Sequence, residues 1–353
     1  MRRREFFWPA DSDLAALTSS AEAAVAAAEP GAVITPENPV WRTWQEMGFD
    51  RIGTPEHAGG VGGTLLHVTA VEMTLAYRPV SLPALPILFL AGVLLRRCGR
   101  PVEAGALPVL APVNLPLCHG DRVDGRATDV PWPGGYDRLV VPVATDTGTW
   151  RIALVDTADA TVSVARNVAG EQRARVRFDG SPAVLLPGEW AAASYREVLC
   201  RNALTSAAAL TGALVGARDL TLRHAVERRQ FDRRLADFPV VRHYLAEIAE
   251  EASAALAAVR RAALSDDADD AFAARFRAGS AASVVARLAH QVHGAMGTSL
   301  EYPLGHFTRR LWAWSEEPAR QDDWALFLGE RIAVRTDDRE DLWSTTAPLR
   351  APS

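Results

Sequence analysis

The period of the hydrophobic positions changes twice along this chain. Leu14 to Ala28 is an alanine-rich helical pattern that Asp11 or Ser12 can cap. Trp41 to Gly48 is a second, shorter one, with Gly48 suited to its C-terminal cap. Leu65, Val68, Val71 and Leu75 then fall at helical spacing within Thr64 to Tyr77. From about Leu107 to Leu186 the pattern turns to strands. Runs at 138–143 and 150–155 flank Thr145-Asp146-Thr147-Gly148, a hairpin-like turn, and further strands fit 161–164, 173–178 and 183–186. With no helical stretch between them, they predict a small antiparallel barrel or sandwich. From about Ala191 the chain reads as helix almost to its end. After Phe238-Pro239, the positions Val241, Leu245, Ile248, Ala252, Ala255 and Val259 form a heptad stripe, the seam of an antiparallel bundle. A helix from Pro239 to Leu264 is roughly 39 Å long at about 1.5 Å per residue. Tyr195 to Val226 and Asp270 to His293 are comparable neighbours. The expectation is an α+β chain with a helical domain over 1–104, a β-domain over 105–190 and a four-helix bundle over 191–353.

Composition narrows the chemistry. The 353 residues exceed one small core, and 48% hydrophobic with 23% charged residues is an ordinary globular balance. A net charge of −5 without a basic block argues against nucleic acid as a partner. All 38 basic residues are arginine, so a Schiff-base lysine, a Walker-type lysine and a lysine general base are excluded. Cys98, Cys118 and Cys200 form no CxxC or Cys/His cluster, which speaks against structural zinc and a disulfide framework. The eight histidines show no HxH or HExxH spacing. Met1 to Pro9 is basic without an apolar segment behind it, and no uncharged apolar run approaches eighteen residues. A cytoplasmic location without membrane insertion is therefore expected. Gly59 to Gly63 follows no convincing strand and reads as a flexible turn rather than a dinucleotide loop.

Two motifs carry candidate chemistry. Glu227-Arg228-Arg229-Gln230-Phe231 ends one long helix and leads into Ala236-Asp237-Phe238-Pro239. An arginine fork suits a phosphate partner, while the plainer reading is a helix-end charge on the dipole. Gln291-Val292-His293-Gly294-Ala295-Met296-Gly297 closes a later helix, where glycines admit a close ligand or simply cap the helix. Together and in this order, with Glu301-Tyr302-Pro303 behind them, they resemble the acyl-CoA dehydrogenase family over about Val198 to Arg310. Trp41-x-x-x-x-Glu46-x-Gly48, Pro55 to Gly62 and Val176 to Gly180 extend the resemblance toward the front.

That resemblance implies FAD held between the β-domain and the bundle, with a second subunit completing the site. Arg228, with Gln230 and Phe231, would hold the pyrophosphate, and Gln291, Gly294 and Gly297 would approach the adenosine half across a subunit interface. It implies an acyl thioester on CoA or a carrier protein, losing an α-proton to a glutamate and a β-hydride to flavin. Electrons would pass to an electron-transfer flavoprotein, and the assembly would be a homodimer, a tetramer or a heteromer with a paralogue. Departures concentrate where the chemistry should be. Counting without gaps from Pro303 to the family's base lands on Pro318; Glu317 takes the role if the connection is one residue shorter, and Glu316 if it is two. The plainer reading of both is a pair of solvated charges. Cys200 to Leu204, the alternative place for a base, carries no carboxylate. Ala295 and Asp232 replace glycines, and Leu110 to Asn114 and Val130-Pro131-Trp132 replace the stretches that contact the flavin ring. The expected activity is acyl-thioester α,β-dehydrogenation. Its rivals are a catalytically degenerate subunit of a heteromer, or the fold recruited to hydroxylation, cyclisation or isomerisation.

Overall fold

The computed structural model describes residues 12–337 except 36, 83–84, 101–114, 132–136, 300 and 318. The Asp11 cap, the Leu110 to Asn114 stretch, Trp132 and Pro318 lie outside the described residues.

Four helices form the described N-terminal part: α1 (Ser12–Ala24), α2 (Pro39–Glu46), α3 (Leu65–Ala76) and α4 (Leu85–Arg97). Asn38 caps α2 by accepting from the Val40 N–H at 2.9 Å, and Pro39 occupies its first turn. Gly48 has φ 77°, the left-handed turn that ends this segment. The period-3.6 pattern of α3 understates its burial. Every residue from Val68 to Ala76 is buried, because α3 packs between α1 and the bundle.

The β-domain is an eight-stranded sheet. Its main path runs β5 (Thr161–Arg166), β6 (Gln172–Pro182), β2 (Arg122–Pro131), β1 (Leu117–His119), β3 (Arg138–Thr145), β4 (Thr149–Asp156) and β7 (Val184–Leu185); β8 (Trp190–Ala191) pairs with β4. Pairing is antiparallel except for the short β1–β3 contact. The 138–143 and 150–155 runs become β3 and β4, and the alternation within them divides two cores. Leu139, Val141, Val143, Ala153 and Val155 face the sheet's own core. Val140, Ile152 and Leu154 face the helical body. Strand β2 is ten residues long and left no hydrophobic signature. Asp124, Gly125 and Asp129 interrupt it, Asp129 has φ 60°, and its pairing with β6 shifts register twice.

The bundle comprises α5 (Tyr195–Glu227), α6 (Pro239–Ser265), α7 (Ala268–His293) and α8 (Leu304–Ser315), with α9 (Gln321–Asp337) against α7. Between α5 and α6 lies a small hairpin, β9 (Arg229–Gln230) with β10 (Arg233–Arg234). Among described helices α5 alone is long and apolar enough to cross a membrane, but 89% of its apolar window is buried inside the protein. It is the core helix. The predicted stripe on α6 is buried at Ile248, Ala252, Ala255 and Val259, whereas Val241 and Leu245 are only half-buried. The seam thus runs past what this chain covers.

Two glycines let neighbouring helices approach α5. A Cβ at Gly212 would stand 2.3 Å from the Met73 carbonyl oxygen of α3, and one at Gly216 would stand 2.4 Å from the Phe307 ring of α8. Backbone cannot yield as a side chain can. Gly212→Ala is expected to cost about 1–3 kcal/mol by overpacking, seen as a lower midpoint in urea unfolding at unchanged slope. A midpoint equal to that of the parent protein would contradict this helix contact.

Candidate functional site

The two motifs meet at one end of the bundle. His224 in the last turn of α5 stacks on His293 in the last turn of α7, ring centroids 4.3 Å apart and 20° from parallel. Tyr302 closes the stack, tilted against His293 at 5.1 Å and edge-on to His224 at 6.2 Å. The stack brings Arg228, four residues past His224, to the same end as Gln291 and Gly294. His293 Nδ1 donates to the Ala289 carbonyl at 2.8 Å, leaving Nε2 as a buried acceptor without a partner among the described residues. Burial pushes the His293 pKa down to about 4, with the His224 and His290 charges adding to the effect, so the ring is neutral at neutral pH.

Arg228 caps α5 with its N–H bonded to the His224 carbonyl at 2.8 Å, and among the described residues its guanidinium has no ion-pair partner. The chain then turns through Phe231 (φ 50°) and Asp232 (φ 59°), consecutive left-handed residues that close the β9–β10 hairpin. Asp tolerates that conformation, while Phe rarely adopts it. Phe231 stands 86% exposed at the tip, with Gln230 exposed beside it. Across the bundle end, Gln291 is exposed and Gly294 has φ 59° and ψ −143°, a backbone region that is nearly glycine-only. A Cβ at Gly294 would meet nothing within 4 Å. Gly297 is instead packed, since a Cβ there would lie 2.9 Å from His293 Cβ. It supports the turn rather than facing outward.

The two acidic candidates separate. Glu316 is exposed, 3.9 Å from Arg320 across a solvated surface. Glu317 is not a solvated charge. Its Oε2 accepts from Arg173 Nε at 2.8 Å and its Oε1 from Asn167 Nδ2 at 3.1 Å. Arg173 also donates through Nη2 to Glu171 at 2.5 Å, and Glu171 accepts further bonds from Ser81 Oγ, Asn167 Nδ2 and Trp314 Nε1. Burial raises the Glu317 pKa, and Arg173 draws it only partly back. Burial would raise Glu171 too, but Arg173 and its hydrogen-bond donors outweigh it and hold that carboxyl below the ordinary value. The connection carrying Glu317 is fixed from behind by the fully buried Arg275, whose Nη2 donates to the carbonyls of Trp314 and Ser315 at 2.9 Å and of Glu317 at 3.2 Å.

Position on β6 explains the cluster. Ala174, Val176 and Phe178 face the sheet's core, so Glu171 and Arg173, of opposite parity, face the helical body. Arg173 pairs in register with Pro131, within the Val130-Pro131-Trp132 stretch. The place where ring contacts and base converge in the expected arrangement therefore holds a buried ion pair. Sequence reading missed Glu171, Arg173 and Arg275. Charges at i and i+2 beside a strand pattern, and an arginine inside an alanine-rich helix, were the available signals.

With this geometry in view, the relatives are informative. Residues 190–313 match the family model "Acyl-CoA dehydrogenase, C-terminal domain". Glutaryl-CoA dehydrogenase of Desulfococcus multivorans is 35% identical over 112 residues, which is 30% of this chain and 29% of that relative's length. Acyl-CoA dehydrogenase FadE27 of Mycobacterium tuberculosis is 25% identical over 312 residues, covering 76% of this chain and 81% of the relative. The ChsE4–ChsE5 complex of Mycobacterium tuberculosis superposes with a TM-score of 0.78 at 20% identity, covering 92% of this chain and 98% of that one. A glutaryl-CoA dehydrogenase of Mycobacterium smegmatis in complex with FADH2 gives 0.77 at 15% identity, covering 91% and 95%. Helical domain, β-domain and bundle in this order define a three-domain α-β-α fold shared with these structures. The resemblance to the acyl-CoA dehydrogenase family is thus borne out by a C-terminal-domain match over residues 190–313 and by a fold shared along the chain.

Two outcomes test the buried charges. Arg173→Met leaves Glu171 and Glu317 buried without their cation and is expected to cost about 3–5 kcal/mol, measured by urea unfolding at neutral pH. A loss below about 1 kcal/mol would mean that the pair does not hold the domains. Glu72, buried in α3, has its pKa pushed up to about 8 by burial, with the Glu171 charge adding to the shift. The folded state then binds this proton more tightly than the unfolded state, whose value is near 4.5. Its stabilising contribution is full below that value and is lost as pH rises through about 8. Unfolding of Glu72→Gln across this window is expected to show a flatter alkaline decline, and an identical decline would refute the assignment.

Proposed function

We propose that the protein is a FAD-dependent flavoprotein of the acyl-thioester α,β-dehydrogenase type, acting as part of an oligomer in the cytoplasm. The observation that carries this reading is the bundle end. An arginine without an ion-pair partner among the described residues, an exposed aromatic tip and an open glycine turn stand together there. They suit a large ligand bearing a diphosphate. Arg228 would donate to the diphosphate, with Gln230 and Phe231 lying along it. Gln291 and Gly294 would admit the adenosine half, with Gly297 keeping their turn in shape. Apart from the packed Gly297, none of these groups is enclosed by this chain, and the α6 seam is unfinished at the same end. Both features support a cradle completed by a second subunit.

When bound, FAD supplies the acceptor for a β-hydride, and an electron-transfer flavoprotein is the proposed onward acceptor. The remaining work falls to the protein. Of the two acidic candidates, Glu317 is the one in the crevice between β-domain and bundle, and its burial raises its basicity. To take an α-proton from an acyl thioester carried by CoA or a carrier protein, its carboxylate must first part from Arg173. The ion pair also favours a second reading, a degenerate subunit that keeps the cradle while a paralogous partner provides the base.

An absorption spectrum of the purified chain with added FAD, followed by anaerobic titration with acyl-CoA thioesters, tests both readings. Bound flavin that bleaches, and that fails to bleach in Glu317→Gln, is the outcome expected of a complete enzyme. Flavin that bleaches only with a co-expressed paralogue supports the degenerate subunit. A protein that takes up no FAD, alone or with a partner, overturns both. Arg228→Ala is expected to weaken FAD binding about 10- to 100-fold through the lost charge-assisted hydrogen bonds.

A further inference from the structure

At the opposite end of α5 lies a cavity of about 530 Å³ that none of the preceding chemistry uses. It sits between the N-terminal helices and the first turns of the bundle. Among the described residues no member of the β-domain lines it, nor do Glu317 or Arg173. From Arg201 to Arg228 along α5 is about 40 Å at about 1.5 Å per residue, so it is remote from the cofactor cradle.

Its charges are unevenly placed. Arg97 and Arg201, with side chains 23% and 27% exposed, pair with Glu197 and Asp266, which are 67% and 56% exposed. The cations therefore form the deeper wall and the carboxylates the wet rim. Arg96 is the residue without a counter-charge. It donates to the Gly53 carbonyl at 3.0 Å and has no carboxylate partner among the described residues. Burial lowers its pKa, and the nearby positive charge of Arg201 lowers it further. Two guanidinium groups facing one partly enclosed space are relieved by an anion between them. The rim carboxylates can give way, because exposed ion pairs are worth only about 0–1 kcal/mol. Leu65, Phe89 and Val93 supply an apolar wall on the N-terminal side. Such a lining accommodates a hydrocarbon body behind a charged head.

We propose that this cavity binds a small amphipathic anion, its carboxylate or phosphate head on the Arg96 and Arg201 side and its short hydrocarbon body against Phe89 and Val93. The site is independent of the flavin reading. Cys200 in its wall remains a thiol, since burial pushes its pKa up to about 11, so binding there is non-covalent.

Isothermal titration calorimetry of the full chain at low ionic strength, with hexanoate and with inorganic phosphate, tests the site. At least one probe is expected to bind once per chain. Arg96→Ala is expected to weaken binding tenfold or more, with partial rescue by Arg96→Lys. Val93→Trp, which fills the apolar side without removing charge, is expected to abolish hexanoate binding and guards against a misfolded Arg96 variant. Hexanoate binding alone identifies a carboxylate-headed ligand, and phosphate binding alone a phosphate-headed one. Arg228→Ala is expected to bind either probe as the parent chain does, which separates this site from the cofactor cradle. No binding of either probe, equal binding by Arg96→Ala, or loss of binding in Arg228→Ala would overturn the proposal.

Discussion

The arrangement of the three domains depends on a buried charge that none of them could keep alone. Arg173 comes from the sheet, Glu317 from the bundle, and Ser81, on Glu171, from the N-terminal part. Moving each ion out of water costs several kcal/mol even after relaxation, so the cluster persists only with its hydrogen bonds filled. Asn167 and Trp314 fill them. Arg310 repeats the device nearby, tying α8 to the Val80 and Arg78 carbonyls. Loss of any one partner would leave charge in a medium that does not solvate it. The domains are consequently held in orientation by polar satisfaction as much as by apolar burial.

This constraint bears on catalysis. A general base must be desolvated enough to want a proton and free enough to reach one. Glu317 meets the first requirement and is held back from the second by Arg173. Arg275 removes further freedom by holding the backbone behind it. Rigidity in a catalytic turn can be useful preorganisation, or it can mark a turn whose task is structural. The same contacts serve both, which is why Glu317 stands at the centre of either functional reading.

Much of the architecture was legible in the sequence because local and tertiary preferences agreed. The helix after Phe238-Pro239, the Thr145 to Gly148 hairpin and the Gly48 turn all formed where period, proline and glycine placed them. Strand β2 was illegible because its pairing comes from backbone hydrogen bonds beneath a polar, bulged sequence. The bundle-end motif was legible as an ordered set of residue types, although only the His224–His293 stack shows how its two halves meet. The charge cluster was not legible. Glu171, Arg173 and Glu317 are separated by up to 146 positions in sequence, and no local period announces an ion pair made between sheet and bundle. For the same reason Glu317 read as solvated when it is enclosed.

The long helix α5 carries one further implication. It is a single unbroken rod of 33 residues, buried along most of its length. At one extremity it bears Arg201 and at the other it delivers Arg228. A rod clamped by close-packed neighbours at Gly212 and Gly216 has little room to bend or slide by halves. Displacement at either extremity is therefore transmitted as rigid translation or tilt. The helix acts as a fixed-length ruler between two polar regions that share no side chain.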